Sequence, residues 1–428
     1  MAKVLMFGWE FPPHITGGLG TACYGLTKGL LTHGDEVVFV VPKAFGDEDS
    51  HVARILNASD ITLSFSKEDK NEVWKKLTYI EINSTMIPYV SPEEFVKVKS
   101  RAYLDKTIYT KDIFSEHFEF SGKYGPDLMK EVARYALVGA KIAAEQDFDI
   151  IHAHDWLTYS AGVAAKQVSG KPLVVHLHAT EFDRSGEHIN QDVYNIEHMG
   201  MHAADKVIAV SNLTRQIAIE RYGIDPNKIH TVYNAVEPSE AERVVYSRHV
   251  KEKVVTFLGR VTFQKGPDYF VEAAYKVLQK DPNIRFVMAG SGDMLNRMIK
   301  RVAKLGISTK FHFTGFLKGE EVNHMFSISD VYVMPSVSEP FGISPLEAMR
   351  SNVPVIISKQ SGVAEILHHA IKIDFWDIDA MADSIYGLVH YPALSKMFIR
   401  HGKSEVDNLK WENAAFEVSR IYKEMLNQ

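Results

Sequence analysis

Residues Val331 to Arg350 read VYVMPSVSEPFGISPLEAMR. The run opens with β-branched, aromatic and apolar residues and reads as a short buried strand. Pro335-Ser336 breaks it, a loop crosses from Ser338 to Ile343, and Ser344-Pro345-Leu346-Glu347 opens a helix. Strand, loop and helix N-terminus form the repeating unit of an open α/β sheet. In such sheets ligands sit at the carboxyl ends of strands, and helix N-termini attract anions. Glu339 and Glu347 bracket the loop with seven residues between them, and Gly342 lets backbone come close to a ligand. The same residues also fit a plainer account. Ser344-x-x-Glu347 with Pro345 at the first helical position is a capping box, in which Glu347 only caps its own helix.

Upstream of this stretch the same unit recurs. Lys253 to Leu258 reads as a strand, followed by a loop carrying Gly259, Arg260, Lys265 and Gly266, then a helix from Pro267 to Lys280. Arg260 and Lys265 are two cations on one loop, suited to neutralising a diphosphate or to ordinary surface duty. Ile284 to Ala289 leads to Gly290-Ser291-Gly292-Asp293, and Phe311 to Thr314 leads to Gly315. Glu237 to Arg248 lacks an apolar period and reads as a linker. Residues 237–408 are therefore expected to form one doubly wound domain, and residues 1–236 another.

In the first block Lys3 to Trp9 reads as a strand, Gly17-Gly18-Leu19-Gly20 as a glycine loop, and Thr21 to His33 as a helix. Such a loop suits a phosphate, or simply a tight turn. A helix from Asp127 to Gln146 precedes the strand Asp149 to Ala153 and the run His152-Ala153-His154-Asp155-Trp156. Leu173 to Leu177 is a strand ending at His178, and later strand ends carry Ser211 and Asn234. Polar groups recurring at strand carboxyl ends point to a ligand crevice. Residues 45–120 read as an irregular insertion with one strand near Leu77 to Ile82. Within it, Phe95 to Lys111 is basic and aromatic. That stretch fits a solvated face, or a patch for polysaccharide or an anionic membrane. Trp411 to Leu426 is an amphipathic C-terminal helix.

The chain has 428 residues, 46% hydrophobic and 24% charged, which is room for two or three globular domains. A net charge of −6 argues against nucleic acid as partner. The single cysteine, Cys23, fits a reducing compartment. The short N-terminal apolar run is not a signal peptide, and no stretch approaches the ~20 apolar residues of a membrane span. A cytoplasmic location follows as the expectation, with membrane association not expected.

The glycine loop, the HAHDW run, His178, Arg260 with Lys265, and Glu339 to Glu347 together resemble the retaining glycosyltransferases of the GT-B fold. Within them the resemblance is to glycogen and starch synthases and their near relatives. It implies two Rossmann-like domains facing a central cleft, with the C-terminal helix, residues 409–428, crossing back onto the first. It implies transfer of glucose from UDP- or ADP-glucose to the non-reducing end of an α-1,4-glucan, by a front-face path in which the leaving phosphate accepts the acceptor's proton. Carried over residue by residue, Glu347 holds the ribose hydroxyls, and Arg260 and Lys265 stabilise the departing diphosphate. Glu339 and the backbone N–H groups of Phe341, Gly342 and Ile343 hold the donor sugar. His178 lies near the reacting carbon, Gly18 approaches the phosphates, and Asp155 and His154 shape the acceptor side. Ser211, Asn234, Gly290 and Gly315 are further candidates. No cofactor and no metal are implied, and Asp377-Ile378-Asp379 reads as a helix cap. Glycogen synthases carry a lysine two positions before the first glycine of the loop. This chain has Ile15 there, and the preceding His14 is a candidate to take over part of that lysine's phosphate contact. Transfer to another saccharide, a lipid or a small molecule, and nucleotide-sugar epimerisation, are the competing activities.

Overall fold

A computed structural model describes residues 1–14, 17–49, 52–63, 118–236 and 250–427. The first sheet contains β1 (Lys3–Phe7), β2 (Glu36–Val41), β3 (Arg54–Asn57), β4 (Ile150–His154), β5 (Leu173–Leu177), β6 (Lys206–Ala209) and β7 (Ile229–Thr231). They lie in the order β3-β2-β1-β4-β5-β6-β7, and each paired neighbour is parallel. Its described helices are α1 (Gly18–Thr32), α2 (Leu128–Glu145), α3 (Trp156–Ser169), α4 (Glu181–Ser185), α5 (Gln191–Ala203) and α6 (Asn212–Tyr222).

The second sheet holds β8 (Lys253–Leu258), β9 (Ile284–Ala289), β10 (Phe311–Gly315), β11 (Val331–Met334), β12 (Val355–Ser358) and β13 (Ile371–Ile373), in the order β10-β9-β8-β11-β12-β13, again all parallel. Between and after these strands run α7 (Pro267–Lys280), α8 (Leu295–Lys304), α9 (Glu320–Ile328), α10 (Ser344–Arg350), α11 (Ile378–His390), α12 (Pro392–Val406) and α13 (Trp411–Leu426). Both units are doubly wound, Rossmann-like parallel sheets. Strand order reverses between β1 and β4 in one and between β8 and β11 in the other. Those are the two places where diverging connections open a crevice at the strand ends. The glycine run follows β1, Asp155 follows β4, Arg260 follows β8 and Glu339 follows β11, so the sequence-singled residues gather at the two reversal points.

Strands buried on both faces read as continuous apolar runs, which is why β4, β5, β11 and β12 are buried throughout. Helix α13 lies on the first sheet's side. Trp411, Ala415, Val418, Ile421 and Tyr422 join Ala22, Cys23 and Leu26 of α1 and Val4 and Met6 of β1 in one core cluster. Two glycines of α1 permit this approach. A Cβ on Gly25 would lie 2.3 Å from the Trp411 ring, and one on Gly29 would lie 2.7 Å from the Ala415 Cβ. The seam between the units is close and mixed, with Val210 and Val236 joining Phe341, Leu346 and Val363 in one apolar cluster and polar contacts beside it. The Glu365 carboxylate accepts the N–H groups of Asn212 at 2.9 Å and Leu213 at 2.7 Å, at the positive end of α6. It also accepts the Tyr233 hydroxyl.

Three expectations are corrected. Helix α1 starts at Gly18, so Gly18 to Gly20 form its first turn rather than a free loop; the extended Gly17 serves as its N-cap. Strand β1 stops at Phe7, short of Trp9. The stretch after residue 45 is not wholly irregular, because Arg54 to Asn57 pair with β2 as an edge strand. The expected strand at Leu77 to Ile82, the basic stretch Phe95 to Lys111, Ile15 and the linker from Glu237 to Arg248 lie outside the described residues. Among the described residues no helix is long and apolar enough to cross a membrane. Because Trp411 is 4% exposed and seated against Gly25, Trp411→Ala is expected to cost about 3 kcal/mol in urea unfolding monitored on the first domain.

Candidate active site

On the second-sheet side, β10 ends on Gly315, and β8 and β9 are each followed at once by a glycine, Gly259 and Gly290. Gly259 donates to the Ala289 carbonyl at 3.0 Å, and Gly290 donates to the Gly315 carbonyl at 2.8 Å. A Cβ on Gly290 would lie 1.8 Å from the Gly259 oxygen, so the bare backbones pack where side chains cannot. This packing accounts for Gly290, whereas Gly315 answers to its left-handed backbone at φ 76°, with open space where a Cβ would stand. After Arg260 the chain makes a short 3-10 turn, Phe263–Lys265, and leaves through Gly266 at φ 65°. Gly266 lies so near β11 that a Cβ would stand 2.0 Å from the Pro335 carbonyl oxygen, and Val337 donates to the Gln264 carbonyl at 2.8 Å. The loop after β8 is thereby fastened to the loop after β11.

That fastening sets the central contact. The Lys265 ammonium meets the Glu339 carboxylate, and the Ser336 hydroxyl donates to the same oxygen at 3.1 Å. Glu339 is 6% exposed, and a carboxylate so buried needs a counter-charge. Its backbone is held on both sides, by donation to Gln360 and acceptance from Gly362. Gly342 follows at φ 99°, a conformation that excludes other residues. The N–H groups of Phe341, Gly342 and Ile343 have no acceptor among the described residues. Arg260 is exposed and places Nη2 3.5 Å from Gln264 Oε1.

The capping box does not form. Helix α10 has Ile343 as its N-cap with no side-chain cap, and the Ser344 hydroxyl pairs with the Tyr332 hydroxyl at 2.8 Å instead. Glu347 is left partly buried, with no side-chain partner among the described residues, and burial pushes its carboxyl up to about 7. A raised carboxyl without a partner among the described residues, at a strand-order reversal, is a candidate ligand-binding group.

Facing it on the first-sheet side, a Cβ on Gly18 would stand 3.9 Å from the Ile343 side chain, so the start of α1 meets the Glu339 loop. His178 Nε2 lies 2.9 Å from His154 Nδ1, and burial depresses its imidazole to about 3, so His178 is neutral throughout the working range. Asp155 adopts φ 62°, caps α3 through the Trp156 N–H, and meets Arg184 Nη2 at 3.1 Å. Arg184 also reaches Glu197 at 2.7 Å and Glu181 at 3.5 Å, one cation among three carboxylates. Burial raises Asp155 despite the opposing pull of Arg184 and Arg260, and raises Glu197 to about 7. Asp183 bridges the halves. One of its oxygens accepts the Thr180 N–H and hydroxyl, and the other accepts the Ser338 hydroxyl across the cleft at 2.5 Å. Sequence reading missed Arg184, Glu197, Asp183 and Ser338. Thr180-x-x-Asp183 was a legible cap signal, but its partner 155 positions away was not.

The remaining candidates fall elsewhere. Ser211 caps α6 by accepting the Thr214 N–H at 3.0 Å and packs against Gly362, a seam role. His14 pairs with Asp47 at 2.7 Å and its ring lies 4.0 Å from that of Phe45. Asn234 is buried beyond β7. Asp377 caps α11 through the Ala380 N–H at 2.9 Å, and Asp379 pairs with Lys276.

Glu347 supplies a check on this geometry. Its folded carboxyl keeps a proton up to about 7, whereas the unfolded one releases it near 4.5. The folded chain thus binds more protons in that window, and wild-type stability falls as pH rises through it. Glu347→Gln cannot ionise. It is expected to match wild type at about pH 4 and below, and to exceed it by about 1–2 kcal/mol at about pH 8 in denaturant titrations, allowing for partial exposure.

Residues 3–229 match the starch synthase catalytic domain model, and residues 238–405 match the model of glycosyl transferases group 1. The chain is 27% identical over 98% of its length to an uncharacterized glycosyltransferase of Methanocaldococcus jannaschii, and covers 98% of that protein. It is 21% identical to the glycogen synthase of Mycobacterium tuberculosis, over 98% of this chain and 94% of the relative. Among solved structures it is similar to sucrose-phosphate synthase from Thermosynechococcus elongatus, with a TM-score of 0.71, 17% identity and full coverage of both chains. With a starch synthase catalytic domain over more than half its length, a group 1 domain over most of the rest, and two facing doubly wound sheets, the chain belongs to the GT-B glycosyltransferases.

Proposed function

We propose that this chain is a retaining, metal-independent glucosyltransferase. It moves glucose from UDP- or ADP-glucose to the non-reducing end of an α-1,4-glucan, in the cytoplasm. The observation that carries the reading is the joint presence, at one strand-order reversal, of Lys265 on Glu339, the exposed Arg260, and the partnerless Glu347. A nucleotide-sugar presents a ribose diol, a diphosphate and a hexose in a row. A carboxylate accepts two hydroxyl hydrogen bonds from a diol, two cations neutralise a diphosphate, and a second carboxylate with free N–H groups suits sugar hydroxyls. The glycogen synthase relative, aligned over almost the whole chain, supports glucose and glucan in particular.

In this mechanism Glu347 takes the ribose. Arg260 and Lys265 hold the diphosphate as the sugar–phosphate bond breaks, and Gly18 admits the phosphates at the start of α1. Lys265, now paired with Glu339, turns to the phosphate and leaves Glu339 to accept sugar hydroxyls alongside the N–H groups of Phe341, Gly342 and Ile343. His178, neutral because buried, lies beside the reacting carbon without adding a repelling charge. The acceptor enters from the same face, next to Asp155 and His154, and its proton passes to the leaving phosphate. Asp377 and Asp379 are committed to a helix cap and a surface ion pair, so no divalent cation is assigned to them.

A donor panel tests the reading. Purified protein is incubated with UDP-glucose, ADP-glucose, UDP-galactose, UDP-GlcNAc and GDP-mannose, with and without glycogen, following nucleoside diphosphate release. Glycogen-stimulated release from a glucose donor is expected, reduced about 10²–10³-fold in Lys265→Ala and in Glu339→Ala. Release from another sugar donor, or release indifferent to glycogen, contradicts it. Ser338→Ala, which removes only the cross-cleft bond, is expected to change stability by about 1 kcal/mol or less and to lower turnover about tenfold.

A further inference from the structure

Four histidines line one face of the first sheet beneath α1 and α13. His152 and His154 stand two residues apart on β4, His176 lies opposite His154 on β5, and His178 follows. Alternation along parallel strands puts all four side chains on one side. Their apolar neighbours on that face are Ile150, Val174 and Ile208. His152, His154 and His176 are at most 2% exposed. Their rings stack, with centroids 4.3 Å apart for His152 and His154, 5.3 Å for His152 and His176, and 5.2 Å for His154 and His176.

Hydrogen bonding accounts for only part of this cluster. His152 Nδ1 meets the Tyr422 hydroxyl of α13, and His154 Nδ1 meets His178 Nε2 at 2.9 Å. His152 Nε2, His154 Nε2 and both nitrogens of His176 are buried with no hydrogen-bond partner among the described residues. Each orphaned buried polar group costs about 1–3 kcal/mol. One ring nitrogen from each of these three residues lies within 4.8 Å of the other two.

We propose that His152, His154 and His176 form a binding site for a divalent transition cation of the zinc, cobalt or nickel class. Three imidazoles with no oxygen ligand select that class over magnesium or calcium. A tetrahedral set at a metal–nitrogen distance of about 2.0–2.1 Å needs nitrogens about 3.3 Å apart. The rings therefore fan out of their stack about the soft ring torsion when the cation enters. Tyr422 and His178 already hold the outer nitrogens of His152 and His154, the arrangement that orients metal-ligating imidazoles. A cation on His154 Nε2 keeps the proton on Nδ1, where it is donated to His178. The site thus sits behind the proposed reacting groups and ties them to the C-terminal helix. This proposal departs from the sequence expectation of no metal, and the site is a structural one, separate from the transfer step.

The test uses the untagged full-length chain purified without chelator. Metal content is measured, cobalt(II) is titrated while following its visible bands, and thermal melts are run with and without zinc. Expected are about one equivalent of metal per chain, tetrahedral cobalt bands, and a zinc-dependent rise in Tm. His176→Leu is expected to lose all three, and Cys23→Ser to keep them. Trace metal with no cobalt bands and no zinc shift in the wild type overturns the proposal. Those wild-type readouts stand even if His176→Leu fails to fold. Binding retained in His176→Leu overturns it too, by placing the cation on other ligands. Binding lost in Cys23→Ser also overturns it, because it moves the cation to Cys23, His154 and His178, the neighbouring set of close donors.

Discussion

Lys265 can meet Glu339 only because two loops from neighbouring strands run backbone to backbone. Gly266 permits that contact, since any side chain there would collide with the Pro335 carbonyl. The ion pair in turn keeps a carboxylate buried at the crevice, where it would otherwise carry a large desolvation cost. Burial and charge are thus balanced by one lysine, the one the proposed reaction turns toward the donor phosphate. A site built this way is held ready without the ligand, and ligand binding redistributes charge rather than creating it.

The two halves of the cleft are joined by polar contacts and by an apolar patch in which Val210, Tyr233 and Val236 meet Phe341, Leu346 and Val363. Ser338 reaches Asp183, Glu365 caps the start of α6, and Gly362 packs on Ser211. Ser338 adjoins Glu339 in sequence, and Gly362 donates to the Glu339 carbonyl. The C-terminal helix is a different matter. Trp411 and Tyr422 bury it against α1 and β4, so the end of the chain moves with the first unit.

The strand-and-helix alternation was legible in the sequence because parallel strands buried on both faces leave unbroken apolar runs, and glycines and prolines punctuate them. The E-x7-E loop, Arg260, Lys265 and His178 were legible for the same reason, as polar groups placed where a buried strand ends. Groups defined by long-range contact were not. Arg184 looks like any surface cation until the fold sets it among Asp155, Glu181 and Glu197. Ser344-x-x-Glu347 fitted a local capping rule, yet the Ser344 hydroxyl found Tyr332 in the neighbouring strand, which no local pattern reveals. The edge strand β3 was missed because Arg54 to Asn57 is short and mixed in polarity, so pairing with β2 rather than its own pattern makes it a strand.

The most direct measurement is a crystal structure of the chain with an intact nucleotide-sugar. The account predicts the ribose diol on Glu347, the diphosphate between Arg260 and Lys265, and the hexose against Glu339 and the N–H groups of Phe341 to Ile343, with Lys265 drawn off Glu339. A donor seated elsewhere, or a Lys265–Glu339 pair undisturbed beneath a bound diphosphate, would contradict it.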